Sequence, residues 1–304
     1  MDVEGGWRQS YPFSEKINAD FVAPIQIMGS CRGFLLLDCD ESVFLWNPST
    51  HVHKSIPSSP PVYPYGFESK YEFLETPQLY GFCYDSSKDD YLVAKFYVRG
   101  QSGSSPPAHV QIFSLRANVW KYIDFTDLPH LNLCEDFLRP GLLFNGTILH
   151  WLTYDYDKSM SVIIAFDLME LRFFEIPRPD NIAHDLTSCG DLWVHGRFLS
   201  LWVWGSDTNT IDILVMEKYR VQSSWTKTLV VSLTRRGKHL RPVCSTKNGD
   251  IIMASENGSK LAKYNDKGKR LEHCVHRDYR KSQVPMYTES IISLPSVTEQ
   301  SSKF

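Results

Sequence analysis

LWNPSTHVHKSIP (Leu45–Pro57), IFSLRANVWKYID (Ile112–Asp124) and AFDLMELRFFEIP (Ala165–Pro177) can be laid over one another residue by residue. In each, an aromatic residue (Trp46, Phe113 or Phe166) stands ten positions before an isoleucine (Ile56, Ile123 or Ile176), with a polar turn between them. VMEKYRVQSSWTK (Val215–Lys227) is a looser copy with Met216 in the aromatic slot, and KYNDKGKRLEH (Lys263–His273) is a shorter one with Tyr264 there. The anchors at 46, 113, 166, 216 and 264 are 67, 53, 50 and 48 residues apart. Short β-branched and aromatic runs bounded by Asn, Asp, Gly and Ser are strands. A strand-built unit recurring about every fifty residues predicts the blades of an all-β propeller, about five to seven of them, each made of short antiparallel strands.

The rest of the chain fits that frame. Gly33–Leu37 and Val43–Trp46 form a first strand pair, and Tyr80–Tyr84 and Tyr91–Tyr97 a second. Asn145-Gly146, His195-Gly196 and Asn248-Gly249 mark hairpin turns, and so does Asn257-Gly258. The strand Tyr287–Leu294 is expected to close the ring by pairing with Phe21–Met28. Residues 1–20 read as a frayed lead-in, 21–295 as the propeller domain and 296–304 as a tail. Trp46, Trp120, Phe166, Phe173 and Trp225 recur at repeat positions and read as packing between blades.

The first step is about 17 residues longer than its neighbours. In a repeat fold such an insertion maps to a loop, often on the binding face. It is rich in Pro, Tyr and Phe, and no repeat slot explains its aromatics. Tyr63, Tyr65, Phe67, Tyr71 and Phe73 are therefore the candidate partner-binding residues. With the Gly/Ser/Pro loop 99–109, the insertion 57–79 is the expected binding surface.

Composition narrows the function. The 304 residues carry 35 acidic and 32 basic side chains, net −3, so nothing calls for nucleic acid or an acidic membrane surface. No stretch reaches the roughly 18 apolar residues of a membrane helix. The N-terminus lacks the basic start and apolar run of a signal peptide. Seven scattered cysteines without a C-x-x-C pair fit a reducing, intracellular compartment, cytoplasm or nucleus.

Catalytic signatures are missing: no G-x-S-x-G, no G-x-x-x-x-G-K, no G-x-G-x-x-G, no H-E-x-x-H. The expectation is no catalytic residue, no cofactor and no metal. His273, Cys274 and His276 cluster, but no second ligand pair sits at a structural-zinc distance, so they read as an exposed strand or loop. His51 and His53 alternate along an extended segment and carry the same reading. The acidic stretches DCDES, DSSKDD and DYDKS lack EF-hand spacing and read as Asx turns.

Six fragments together resemble the F-box-associated interaction domain of plant F-box proteins, often labelled F-box/kelch-repeat, which implies a kelch-like propeller. Gly29-Ser-Cys-Arg-Gly33 before Leu35-Leu-Leu37 resembles the family's opening "GSCNGLL". Leu45–Thr50 resembles "LWNPST", and Gly81–Asp85 through Asp89–Val93 resembles "GFGYD…DDYKVV". Val110–Leu115 with Trp120, Asn145-Gly146 through His150-Trp151, and Ser224–Lys227 resemble "VxVYSLxxNxW", "NGxLHW" and "SWTK". The resemblance spans roughly 27–294. It implies the substrate-recognition part of an SCF-type E3 ubiquitin ligase, whose partner is the target protein for ubiquitination and whose catalysis belongs to other subunits. The 28 residues before Gly29 lack a Leu-Pro-rich helical start, so a Skp-type adaptor and cullin are expected only if an F-box is supplied. The rival readings are a small-ligand-binding or hydrolytic β-propeller and a stand-alone scaffold without a ligase partner.

Overall fold

In the computed structural model, the described residues are 25–39, 42–60, 79–97, 109–124, 139–155, 157–180, 182, 186, 190–205, 208–233, 240–255, 259–275, 284 and 286–294. They form five sheets, the blades of a β-propeller, with no α-helix among them. Blade 1 is β1 (Gln26–Cys31), β2 (Phe34–Cys39), β3 (Ser42–Trp46) and β4 (His53–Ile56). Blade 2 is β5 (Leu79–Asp85), β6 (Asp90–Tyr97), β7 (His109–Ser114) and β8 (Val119–Asp124), with the two-residue β9 (Arg139–Pro140) added in parallel beside β5. Blade 3 is β10 (Leu142–Phe144), β11 (Ile148–Asp155), β12 (Met160–Asp167) and β13 (Arg172–Ile176). Blade 4 is β14 (Gly190–His195), β15 (Phe198–Gly205), β16 (Thr210–Met216) and β17 (Trp225–Ser232). Blade 5 is β18 (Leu240–Ser245), β19 (Ile251–Ser255), β20 (Lys260–Tyr264) and β21 (Arg270–Val275).

The middle strands read as continuous apolar runs because both faces of a blade are covered by its neighbours. In β2 five of six residues are buried, and in β12 six of eight. Phe34, Leu36 and Leu45 of blade 1 pack on Phe82, Tyr91 and Phe113 of blade 2. Phe96 of blade 2 meets Trp151 and Phe166 of blade 3 edge-on, each at 5.0 Å between centroids. Leu199 and Met216 of blade 4 pack on Leu152 and Ile163 of blade 3, and Met253 and Tyr264 of blade 5 pack on Ile211 and Ile213 of blade 4. Each such side chain contributes about 1.5–3 kcal/mol on burial, so these seams outweigh any single polar contact. Gly81 makes one seam possible: a Cβ there would lie 2.0 Å from Leu149 Cδ1 of blade 3.

The repeated anchors acquire a physical role. Phe113 lies opposite Trp120, Phe166 opposite Phe173 and Met216 opposite Trp225, so the slot and its partner face each other across the third and fourth strands of a blade. The Trp120 indole N–H donates to the Pro57 carbonyl of the preceding blade at 2.8 Å. Trp225 does the same to Pro177, also at 2.8 Å. The Ile-Pro that ends blades 1 and 3 is thus the acceptor for the next blade's tryptophan. Blade 3 carries Phe173 in that slot and packs it on blade 2 without a donor. Trp46 differs from its expected role, since it joins Leu35, Leu37 and Tyr287 on the side of blade 1 away from blade 2.

The expected strand pairing of Tyr287–Leu294 with Phe21–Met28 is corrected. Residues 286–294 form no strand, and β1 pairs only with β2 among the described residues. The segment instead crosses the tight turns of blade 1. Asn47, fully buried, donates from Nδ2 to the carbonyls of Ser290 at 2.9 Å and Ile292 at 3.3 Å. Its Oδ1 accepts from Ser49 N at 2.9 Å and from the Tyr287 hydroxyl at 3.2 Å. Gly33, at φ +85°, lies so close that a Cβ would be 2.2 Å from Ser290 Cβ. A side-chain amide holds the segment better than a ladder because it satisfies carbonyls that a twisted turn presents one at a time.

Blades 3 and 4 share a buried polar contact, His150 Nε2 to the Tyr219 hydroxyl at 2.7 Å. Burial lowers the His150 pKa to about 4, which keeps the imidazole neutral in the fold. The unfolded chain binds that proton near pH 6.5, so this group's stabilisation is complete above 6.5 and is lost as pH falls toward 4. A plot of Tm against pH is expected to fall across that window, and His150→Gln is expected to flatten it. Trp225, half-buried, offers a second check: Trp225→Phe should cost about 1 kcal/mol for the lost hydrogen bond, and Trp225→Ala about 2–3 kcal/mol, by denaturant unfolding. Asn47→Asp turns a donor facing two carbonyls into an acceptor. It is expected to cost about 2–3 kcal/mol and to open residues 286–294 to limited proteolysis.

Candidate functional site

An up-and-down blade places its first and third turns at one end, and its middle connection, entrance and exit at the other. In blade 2 the first kind are tight: residues 86–89 and 115–118. At the opposite end Leu79 pairs with Phe96, Tyr97 with His109, and His109 with Asp124. The chain arrives there from Pro60 and departs to Arg139, which pairs with Leu79. Segments 61–78, 98–108 and 125–138 therefore all begin and end at one end of one blade. The described ends of the two stretches expected to bind, 57–79 and 99–109, therefore lie at the same end of blade 2. Tyr63, Tyr65, Phe67, Tyr71 and Phe73 lie outside the described residues.

The described floor of this end is a polar and aromatic network. Pro57–Pro60 is docked on blade 2 by Trp120 and by Gln111, whose Nε2 donates to the Pro60 carbonyl at 2.8 Å. Gln111 is itself buried and accepts from the Tyr97 hydroxyl at 3.1 Å. Lys95 Nζ donates to Ser59 Oγ at 3.3 Å and lies 5.2 Å above the Trp120 ring. Burial pushes the Lys95 pKa down, opposed by the Asp38 carboxylate. Burial raises the Tyr80 hydroxyl pKa, with Asp38 adding to the effect. Tyr97 stacks on His109 at 4.4 Å, and His109 on Tyr122 at 5.0 Å. Tyr122 is 51% exposed, an aromatic surface held flat by the ring beneath it. Such a packed aromatic and polar surface suits recognition.

Sequence reasoning missed Lys95, Gln111, His109 and Tyr122. One signal was there: Lys95 interrupts YLVAKFYV, an otherwise apolar run. A lysine in such a run finds a place beneath a loop or at a rim.

The remaining candidates lie elsewhere. His51 and His53 are exposed on blade 1, and His273 and Cys274 are exposed on β21, while His276 is outside the described residues. Among the described residues no three His, Cys, Asp or Glu side chains are arranged to hold a metal ion. The acidic turns are Asx turns where described. Asp85 Oδ1 accepts from Ser87 N at 2.9 Å, and Asp155 Oδ1 from Asp157 N at 3.1 Å. Asn145-Gly146 turns with φ of 55° and 84°, as its hairpin reading requires.

Five antiparallel blades with long connections gathered at one end define a propeller scaffold. Residues 7–298 match the F-box associated β-propeller domain, and the chain belongs to that family. It is 29% identical to the F-box protein CPR1 of Arabidopsis thaliana over 272 residues, 82% of this chain and 63% of that protein. It is 28% identical to an F-box/kelch-repeat protein of the same plant, covering 82% and 64% of the two chains. This chain thus spans under two thirds of the length of these relatives. Among solved structures, a luciferin-regenerating enzyme superposes with a TM-score of 0.48 at 10% identity, covering 84% of this chain and 78% of that one. So distant a likeness carries no chemistry across.

Gln111→Leu removes two hydrogen bonds under the stem of the 57–79 segment. The expected outcome is a loss of about 1–2 kcal/mol in stability and faster amide exchange at Ser58 and Ser59.

Proposed function

We propose that this domain is the substrate-recognition part of an SCF-type E3 ubiquitin ligase receptor, capturing the protein to be ubiquitinated. The observation that carries the reading is the family match over 7–298, with relatives that are F-box proteins. The chain performs no catalysis in this scheme. An F-box joined to it docks on a Skp-type adaptor and cullin, and the ligase's other subunits supply the ubiquitin chemistry. The work takes place inside the cell, in cytoplasm or nucleus. The loop-bearing end of blade 2 is the capture surface, because three connections converge there over a rigid floor.

Affinity capture with mass spectrometry from plant extract tests this with two baits, the chain alone and the chain with an F-box fused ahead of it. The fusion is expected to bring down adaptor, cullin and a discrete target, and the target is expected with both baits. Failure of both baits to capture a specific protein would sink the proposal. Replacing Tyr65 and Phe67 together is expected to leave the melting curve unchanged and weaken target capture. Loss of folding instead would make that segment part of the core.

A further inference from the structure

Charge is unevenly spread along this chain. Residues 235–281 hold 13 of the 32 basic side chains and 5 of the 35 acidic ones. That stretch is net +8 in a chain of net −3, so the remainder is net −11. The described residues of blade 5 hold 7 of these basic side chains and 3 of the acidic ones, net +4, which is the kind of asymmetry that steers a charged partner.

The geometry sharpens this. Lys247, Lys267, Lys269 and Arg270 are all exposed and gather at the tight-turn end of blade 5. None of the four is in an ion pair among the described residues. Within the blade, Lys263 does have one, with Asp250 at 3.1 Å. Asp266 and Glu272 are the exposed acids nearby, fewer than the cations they face. Beside these cations runs β21, the outer edge of the sheet, paired only with β20 among the described residues. All six of its residues are exposed. The outer strands of blades 1, 3 and 4 each bury an anchor, Ile56, Ile176 and Val231, and β21 buries none. Leu271 and Val275 on it are 48% and 55% exposed.

We infer that the outer edge of blade 5 takes up an extended acidic segment of a partner protein, added as a strand along β21 with its carboxylates meeting Lys267, Lys269 and Arg270. The edge offers N–H and C=O groups outside any ladder, a template that another polypeptide backbone extends by regular pairing. The exposed aliphatic residues accept alternate side chains of that strand. Blade 5 shows no exposed Phe, Tyr or Trp among its described residues, so it lacks the broad stacking platform that single-stranded nucleic acid uses. This inference rests on the protein-capture reading and goes beyond it by giving the captured protein a second contact, away from the loop-bearing end of blade 2.

The test is fluorescence anisotropy on the full chain with a labelled peptide of alternating Glu and Val. An alternating Lys and Val peptide, labelled oligouridine and phosphatidylserine vesicles serve as comparisons. The acidic peptide is expected to bind best, more weakly as salt rises. Lys269→Glu with Arg270→Glu is expected to weaken it about tenfold or more. Lys88→Glu with Lys121→Glu in blade 2, an equal charge change, is expected to leave it within about twofold. Amides of Leu271–Val275 are expected to gain exchange protection with peptide bound, which loose electrostatic adhesion would not produce. No binding, equal weakening by both double variants, or tighter binding of RNA or vesicles would overturn the inference. A blade 5 variant that loses the peptide yet still captures the same target from extract also overturns it and leaves the capture role standing. Peptide binding with β21 protection but no specific target upholds the edge and defeats the capture role.

Discussion

A four-stranded antiparallel blade has two apolar faces and cannot bury either by itself. Everything else in this protein depends on that constraint. Each blade's central strands are apolar on both sides because a neighbour covers each side. Phe96 against Trp151 and Phe166, or Tyr264 against Ile211 and Ile213, are the contacts that make the stack cohere. The polar contacts between blades are few and placed where packing alone would let the blades slide. Trp120 to Pro57 and Trp225 to Pro177 fix the outer rims, and His150 to Tyr219 joins blades 3 and 4 in the interior.

The same constraint separates scaffold from function. In blades 2 and 3 the first and third turns are short and capped by their own side chains, as Asp85 and Asp167 show. That end is also where Asn47 fastens residues 286–294. At the other end of blade 2 three long connections begin and end, where Lys95, Gln111 and the Tyr97–His109–Tyr122 stack lie. Such a division suits a scaffold that carries variable loops on fixed strands. Blade 5 departs from blades 1, 3 and 4 by burying no residue of its outer strand, and among the described residues Lys247, Lys267, Lys269 and Arg270 form no ion pair, which gives the molecule a second surface of different chemistry.

Sequence and structure agree most closely where the signal is local. Strand positions, the Asn145-Gly146 turn, the Asx turns and the alignment of Trp46, Phe113, Phe166, Met216 and Tyr264 could be read within a dozen residues of chain. The expectations that changed all involve distance. Tyr287–Leu294 was expected to form a ladder and is instead held by Asn47, 243 residues before Ser290. Trp46 occupies the repeat slot and, like Phe113, faces away from the following blade, but what it meets there among the described residues is Tyr287 of the C-terminal segment and not a preceding blade. Lys95 and Gln111 had no visible role until Pro57–Pro60 was seen lying across them.

The sequence by itself determined that this is an all-β repeat protein, the approximate spacing of its blades and the family to which it belongs. Those properties are written in periodicity and turn chemistry, which act between residues close in the chain. Tertiary structure alone decided which blade gathers the long connections, what closes over blade 1 and where charge is left unpaired. Such features arise when folding brings together groups well separated in the chain, 51 residues for Gln111 and Pro60 and 243 for Asn47 and Ser290, and no local pattern records which of them will meet.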